Sequence, residues 1–390
     1  MLQKQREQGL EILACVSAVK EVRGEKCQLD SYLDQGYRWP FPLPHRSVPP
    51  QAAVPASMPP CAHCWPCRGP RSEMSVPGCS SSPCSSPVTL VLLIYLVFTR
   101  FWPISALYLA WVIFDWDTPE KGGRRLPCLR RWSVWRHFRD YFPVKLVKTH
   151  DLSPGHNYII GSHPHGILCV GAFCNFITGS TGFSELFPGI RPFLTTLAGN
   201  FRLPLFREYL MSGGLCPVTR RAIGHLLSKN GTGNAVAIVI GGAAESLSCS
   251  PGVTTLILKN RKGFVRMALQ HGAFLVPSFS FGENELFRQV VFEEGSWMRA
   301  VQQRFQKMMG FAPCVFYGRG LTSVRSRGFL PYARPITTVV GEPVTVPKIE
   351  EPSSEVVDLY HGMYVRSLLK LFNDNKTKYG LSEGDELRIV

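Results

Sequence analysis

From residue 156 onward the chain alternates strand-like and helix-like runs, and this alternation constrains the fold more than any other feature. Buried strands are expected over residues 156–162, 193–198, 235–241, 274–282, 313–317 and 336–340. Helices are expected over residues 205–211, 220–228, 263–271, 296–309 and 354–373. A βαβα order implies a mostly parallel sheet covered by helices. We therefore predict one α/β domain over residues 151–390.

The tetrad His163-Pro164-His165-Gly166 directly follows the first strand-like run. Two imidazoles at the end of a strand can offer a base near neutral pH. Pro164 stiffens the turn, and Gly166 allows close approach of a substrate or a helix. These properties make His163 and His165 candidate catalytic residues and place Gly166 in the catalytic loop.

The histidine pair also has two other interpretations. A His-x-His pair is a metal-ligand pattern, but the later histidines His225, His271 and His361 lie on predicted helices, so metal binding is the weaker interpretation and no metal is predicted. Both histidines could instead be structural. The sequence contains no GxSxG elbow, Walker loop or GxGxxG fingerprint, so a serine hydrolase, an NTPase or a dehydrogenase is unsupported.

A second candidate site lies where the 235–241 strand ends in Gly241-Gly242-Ala243-Ala244-Glu245-Ser246. Strand-end loops of α/β sheets meet in one crevice, so Glu245 could face His163 or His165 there. It would then orient an imidazole and stabilise its protonated form, or hold a substrate hydroxyl. The main-chain N–H groups from Gly241 and Gly242 onward are candidates for binding an oxyanion. The alternative is a tight turn with a surface glutamate.

Basic residues form the third candidate site. The formal net charge is +15, which favours anionic partners, while the absence of RNA- or DNA-binding motifs argues against nucleic acid. Basic side chains at the start of a helix suit phosphate groups, although a solvated basic surface is an equal alternative. The candidate phosphate-binding residues are Arg202, Arg207, Lys259, Arg261 and Lys262.

Residues 1–87 differ from the rest of the chain and are predicted to be a disordered Cys/Pro-rich tail. They hold seven of the 13 cysteines and no sustained apolar period. Residues 61–67 resemble half of a zinc knuckle, with Cys79 or Cys84 as further ligands, but the spacing favours an unstructured tail. The six later cysteines are expected to be reduced thiols.

Residues 88–116 are predicted to form a membrane hairpin. The apolar stretch divides into residues 88–99 and 104–114, each shorter than a spanning helix requires, and Arg100 and Pro103 lie at the break. One tilted span or a buried pair of helices are the alternatives. Many aromatic residues favour a position at a membrane interface.

Residues 117–150 combine arginines with aromatic residues at helical spacing. Trp132, Trp135, Phe138 and Phe142 recur among the basic residues, a pattern typical of a helix in the headgroup plane. We predict a basic-aromatic interfacial segment on the cytosolic side, with a helix of the domain core as the alternative.

From about residue 102 to the C-terminus, the chain resembles the diacylglycerol acyltransferase type 2 family. The resemblance covers roughly three quarters of the chain, and its motifs are highly specific. The motifs are Phe114-Asp115-Trp116, Lys121-Gly122-Gly123-Arg124-Arg125, Arg139-Asp140-Tyr141-Phe142-Pro143, the tetrad, and residues 207–214, 241–246, 261–264, 281–285 and 334–342.

This resemblance implies transfer of an acyl group from acyl-CoA to the hydroxyl of 1,2-diacylglycerol, forming triacylglycerol. It also implies the endoplasmic reticulum membrane and the lipid-droplet surface, with the domain facing the cytosol. The family is distantly similar to glycerolipid acyltransferases, in which a histidine loop is the base, so His163, His165 and Glu245 would be catalytic. The basic residues would bind acyl-CoA, which is a substrate, so no cofactor is expected.

Several alternatives stay open at this point. The acceptor could be a monoacylglycerol or a fatty alcohol, the activity could be metal-dependent lipid hydrolysis, or the chain could bind lipid without turnover. The partners expected are acyl-CoA, diacylglycerol and membrane lipid, and a homo-oligomer is compatible with the sequence. The chain departs from the family in residues 1–87, which match nothing in it, and in a shorter first membrane segment.

Overall fold

The computed structural model describes residues 85–321 and 326–390, which contain 12 strands and 12 α-helices. The strands are β1 (Lys145–Lys148), β2 (Tyr158–His163), β3 (Arg191–Thr196), β4 (Leu215–Pro217), β5 (Asn234–Val239), β6 (Thr255–Leu256), β7 (Phe274–Phe281), β8 (Arg288–Gln289), β9 (Phe316–Arg319), β10 (Arg327–Gly328), β11 (Thr337–Val340) and β12 (Arg388–Ile389).

The α-helices are α1 (Ser85–Val97), α2 (Trp102–Phe114), α3 (Pro127–Arg130), α4 (Val134–Tyr141), α5 (Val170–Phe176), α6 (Phe183–Leu186), α7 (Phe206–Gly213), α8 (Arg220–Ser228), α9 (Gly242–Ser246), α10 (Gly263–His271), α11 (Trp297–Met309) and α12 (Ser354–Asn375). Short 3₁₀ turns cover Thr118–Lys121, Ala198–Arg202, Glu283–Glu285 and Thr377–Tyr379.

The main sheet has seven strands in the order β1-β11-β7-β2-β5-β3-β4. Only the β11–β7 pairing is antiparallel, and the other five pairings are parallel. The prediction of an α/β fold with a mostly parallel sheet is therefore confirmed. The predicted strand at 313–317 is a difference, because β9 begins at Phe316 and pairs with β8 and β10 in a separate antiparallel sheet.

Apolar side chains cover both faces of the main sheet. Consecutive strand residues point to opposite faces, so Ile159 packs under α10 and α12 while Ile160 packs under α5 and α7. All six residues of β2 are buried. A strand that is covered on both faces reads as a continuous apolar run, which explains why the sequence around Tyr158 predicts it well.

Helices α1 and α2 lie against each other at the position of the predicted hairpin. The Ser105 hydroxyl donates a hydrogen bond to the carbonyl of Leu93 at 3.0 Å. Pro103 lies in the first turn of α2, where the missing N–H of a proline removes no hydrogen bond from the helix. Most apolar side chains on this pair are exposed, such as Phe114 with 91% exposure. Neither α1 nor α2, nor any other described helix, is long and apolar enough to cross a membrane.

The aromatic residues of the predicted interfacial segment lie in the core instead. The side chains of Trp135, Phe138 and Phe142 are buried, and Trp135 and Phe138 contact Phe173 of α5 edge to face. The interfacial prediction is wrong for these three rings, because a core face and a membrane face show the same helical spacing of apolar residues. Trp132 is exposed.

Two further predictions concern cysteines. All six cysteines after residue 88 are free thiols, as expected for reduced residues. The cysteine motif at 61–67, together with Cys79, Cys84 and the rest of the predicted tail up to residue 84, lies outside the described residues.

We expect Phe138→Ala to lower the free energy of unfolding by about 3–5 kcal/mol, because it leaves a cavity between α4 and α5. Trp132→Ala is the control and should change it by about 0.5 kcal/mol or less, because that ring is exposed. Thermal unfolding in detergent measures both. Equal effects of the two variants would contradict the assignment of Phe138 to the core.

Candidate active site

The candidate site forms where three neighbouring parallel strands end. Strand β2 pairs in parallel with β5 on one side and with β7 on the other. The carboxyl ends of parallel strands meet at one edge of the sheet. The tetrad after β2, the start of α9 after β5 and the 3₁₀ turn Glu283–Glu285 after β7 therefore lie together.

The imidazole of His165 is half-buried and held at Nδ1. This nitrogen lies 2.7 Å from Ser246 Oγ and 3.0 Å from the carbonyl oxygen of Gly166. A carbonyl oxygen only accepts hydrogen bonds, so the contact favours a proton on Nδ1 and leaves the lone pair on Nε2, which lies 3.7 Å from Cys169 Sγ. Burial lowers the pKa of His165, which keeps the ring neutral at pH 7.

Ser246 is buried on α9, and several groups fix the end of this short helix. Arg299 donates to the carbonyl of Leu247 and to the hydroxyl of Ser248, both at 2.9 Å. The thiol of Cys314 donates to the carbonyl of Ser246 at 3.4 Å. The sequence pattern drew attention to Ser246 only as a hydroxyl beside Glu245, and it gave no signal for Arg299.

Glu245 holds main chain and does not contact an imidazole. Its Oε1 accepts from the N–H of His165 at 2.6 Å, and its Oε2 accepts from the N–H of Ile257 at 2.9 Å. The expectation that Glu245 orients an imidazole is therefore wrong, although the two loops do meet as predicted. Burial raises the pKa of Glu245, while the two N–H groups and the charge of Arg261 oppose this change.

His163 is enclosed in the core, with 1% exposure. Its Nε2 lies 2.9 Å from the hydroxyl of Tyr364 on α12, and its Nδ1 is buried without a hydrogen-bond partner among the described residues. Burial lowers the pKa of His163 to about 3, so the ring is neutral and a very weak base. Nothing in the sequence distinguished His163 from His165 or pointed to Tyr364.

Glu283 fixes the other end of the tetrad loop. Its carboxylate accepts from the N–H groups of Val170 at 2.7 Å and Gly171 at 2.8 Å, at the start of α5. Gly166 has a φ of +60°, and a Cβ there would lie 2.8 Å from Glu283 Cγ. The close approach expected at Gly166 is therefore made by a buried carboxylate. In the sequence, Glu283 stood out only as part of the family motif at residues 281–285.

The glycines proposed for an oxyanion site begin α9. Gly241 lies at the N-cap, and a Cβ there would collide with the carboxylate of Glu245. Gly242 has a φ of +60° and open space where a Cβ would be. The first N–H groups of a helix have no partner within that helix and are therefore available to an oxyanion. An oxyanion role at Gly241 and Gly242 stays a prediction.

Arg207 does not belong to a phosphate site. It is fully buried, donates to the carbonyl of Asp115 at 2.8 Å, and lies 3.2 Å from the carboxylates of Asp115 and Glu208. Its assignment to acyl-CoA is therefore wrong, because both carboxylates already compensate its charge.

The other four basic candidates lie nearer the surface. Arg202, Lys259 and Arg261 are exposed, whereas Lys262 pairs with Asp358 at 2.6 Å. Their part in ligand binding stays a prediction. Across residues 85–321 and 326–390, no three His, Cys, Asp or Glu side chains are grouped to hold a metal ion.

Glu283 gives the stability a defined pH dependence. Burial raises its pKa from 4.5 to about 7, so between these values the folded chain keeps a proton that the unfolded chain releases. The free energy of unfolding of the wild type, measured relative to that of Glu283→Gln, should therefore fall as pH rises from about 4.5 to 7. Chemical unfolding at several pH values measures the difference.

The control for this experiment is Glu350→Gln, which changes an exposed carboxylate and should preserve the wild-type profile. A difference between wild type and Glu283→Gln that is constant with pH would contradict the buried, proton-binding state of Glu283.

Comparisons with known proteins agree with the resemblance seen in the motifs. The family profile described as diacylglycerol acyltransferase matches residues 94–390. Diacylglycerol O-acyltransferase 2 of Danio rerio is 63% identical over 299 residues, covering 77% of this chain and 83% of the relative. The Homo sapiens protein of the same name is 61% identical over 298 residues, covering 76% of this chain and 77% of the relative.

Diacylglycerol O-acyltransferase 2-like protein 6 of Bos taurus is 54% identical over 305 residues, covering 77% of this chain and 90% of the relative. Among solved structures, the 1-acyl-sn-glycerophosphate (LPA) acyltransferase PlsC of Thermotoga maritima aligns with a TM-score of 0.33 and 11% identity, covering 73% of this chain and 95% of that chain. With a profile match from residue 94 to the C-terminus and identities above 60%, the chain belongs to the diacylglycerol acyltransferase family.

Proposed function

We propose that this chain transfers a fatty acyl group from acyl-CoA to the free hydroxyl of 1,2-diacylglycerol and so forms triacylglycerol. Family membership and the names of its relatives support the reaction. The observation that carries the catalytic assignment is the imidazole of His165. It is half-buried where three parallel strands end, and its Nδ1 contacts leave the lone pair on Nε2, beside the thiol of Cys169, to accept a proton.

In the proposed mechanism, Nε2 of His165 takes the proton of the acceptor hydroxyl as its oxygen attacks the thioester carbonyl. Main-chain N–H groups at Gly241 and Gly242 stabilise the negative charge that develops on the carbonyl oxygen. The carbon–sulfur bond then breaks, and the CoA thiolate takes the proton back from the imidazolium. Thiols are acidic enough to leave readily at neutral pH.

The neighbouring residues position the base. The hydroxyl of Ser246 accepts from Nδ1–H and supports the positive charge that forms on the ring. Glu245 fixes the main chain of His165 by a hydrogen bond to its N–H. His163 is a core residue in this mechanism, because its conjugate acid is too strong for it to take a proton at neutral pH.

The chain is also proposed to act at the endoplasmic reticulum membrane and the lipid-droplet surface, with the domain facing the cytosol. The exposed apolar side chains of α1 and α2 support insertion of this hairpin into a lipid surface, for example Leu107 with 73% exposure. Diacylglycerol is apolar, so a lipid-bound enzyme would meet it there.

We expect His165→Ala to lower the rate of transfer by about 10²- to 10⁴-fold, because it removes the general base. Tyr364→Phe is the control. It removes the hydroxyl that contacts His163 and should lower the free energy of unfolding by about 1 kcal/mol while transfer continues. The assay uses labelled acyl-CoA with diacylglycerol, monoacylglycerol and a fatty alcohol as acceptors.

Transfer by His165→Ala at the wild-type rate would refute the assignment of the base. A preference for monoacylglycerol or fatty alcohol over diacylglycerol would refute the proposed acceptor.

Ser246→Ala should lower kcat by about 10- to 100-fold with little change in KM, because the hydroxyl orients a base without touching substrate. Loss of an acceptor for Nδ1–H destabilises the imidazolium and lowers the pKa of His165. The acidic limb of the kcat profile should therefore move to lower pH. Ser246→Thr keeps the hydroxyl and should restore part of the rate, and an unchanged pH profile in Ser246→Ala would contradict the positioning role.

A further inference from the structure

A basic groove of about 900 Å³ lies at the edge of the main sheet, away from the residues of the candidate site. Its lining residues come from α3 and α4 and the turn between them, from β1 and the two residues before it, and from the loop at residues 179–182. Its volume falls within the range of sites for small molecules and cofactors. No step of the proposed mechanism uses it.

The charge in this groove is largely uncompensated. Five cationic side chains line it, and the only carboxylate among its lining residues is that of Asp140, which pairs with Arg139 at 2.6 Å. Arg131, Arg136 and Lys145 form no ion pair with the described residues. Guanidinium groups that line one cavity and lack a carboxylate partner, as those of Arg131 and Arg136 do, are suited to a ligand with several phosphate oxygens.

Other groups on the groove wall fit a nucleotide better than a simple anion. The hydroxyl-bearing residues Ser180 and Thr181 also line the groove. Trp132 lines the groove and has 55% exposure, so its indole offers a flat surface for a base. The nucleotide end of CoA carries both groups that such a wall would bind, namely phosphates and a flat adenine ring.

Helix α5 connects this groove with the candidate site. The first N–H groups of α5, at Val170 and Gly171, bind Glu283 beside the tetrad loop. The opposite end of α5 leads into residues 179–182, which line the groove. The seven residues of α5 span about 10 Å. The extended pantetheine arm of CoA can cover a distance of this order.

We propose that the groove binds the 3′-phospho-ADP end of acyl-CoA while the thioester lies at His165. The proposal rests on the proposed function and assigns the substrate's phosphates to Arg131 and Arg136. It moves this binding site away from Lys259 and Arg261, of which Arg261 is near enough to Glu245 for its charge to act on that carboxylate.

The test compares three double variants of the full chain in the acyltransferase assay. Arg131→Gln with Arg136→Gln should raise the KM for acyl-CoA at least about tenfold with kcat retained, because the lost contacts hold a part of the substrate remote from the reaction. Inhibition by adenosine 3′,5′-bisphosphate should weaken by the same factor. Arg220→Gln with Lys229→Gln removes two exposed charges from around α8 and should leave both values unchanged.

The rival variant is Lys259→Gln with Arg261→Gln. A rise in the KM for acyl-CoA in this variant, without a rise in the Arg131/Arg136 variant, would overturn the proposal. Equal rises in all three double variants would also overturn it, because they would show an effect of net charge alone.

Calorimetry separates this proposal from the proposed function. Binding of adenosine 3′,5′-bisphosphate and CoA to the purified full chain requires no turnover, and loss of this binding in the Arg131/Arg136 variant alone supports the groove even in a preparation that transfers no acyl group. Vesicles of phosphatidylcholine with phosphatidylserine form the second arm. Dependence of vesicle binding on Arg131 and Arg136, without nucleotide binding, would identify the groove as a headgroup site and refute the proposal.

Discussion

The hydrogen bond from the His165 N–H to the buried carboxylate of Glu245 is the contact on which the candidate site depends. The same carboxylate accepts from Ile257, and Glu283 accepts from two N–H groups where the tetrad loop enters α5. Burying a carboxylate is costly unless its oxygens have donors, so each glutamate stabilises one loop conformation. The main chain of the tetrad loop is thus held at both ends, and Nδ1 of the His165 imidazole contacts the hydroxyl of Ser246 and the carbonyl of Gly166.

The arginines divide into those that are buried beside carboxylate partners and those that have no such partner. Arg207 is buried because Asp115 and Glu208 compensate it, and Arg124 pairs with the same two carboxylates. This network joins the end of α2 to α7, and so connects the exposed apolar hairpin with the sheet domain. Removing one member would leave a buried charge without a partner, which costs more than the intact network contributes. Arginines without such partners, as in the groove beside α4, are the ones available to a ligand.

Much of the fold was predictable because its signals are local. Helices α8 and α10 begin and end where the sequence predicts, since Thr219 caps one and Gly272 ends the other in the left-handed conformation. Strand β2 is covered on both faces and is visible as an apolar run. The rings of Trp135 and Phe138 were wrongly assigned to a membrane interface. Helical periodicity shows that one face of a helix is apolar, but it does not show whether protein or lipid covers that face.

The sequence by itself determined the alternation of strands and helices, the meeting of the tetrad loop with the loop that carries Glu245, and the family motifs, because periodicity, turn residues and short motifs are read along the chain. Only the tertiary structure decided that His163 faces Tyr364 in the core while His165 faces Ser246, that Glu245 binds a main-chain N–H, and that Arg207 is compensated. The physical reason is that burial and hydrogen-bond partners come from residues distant in sequence, and these set the protonation and accessibility of each group.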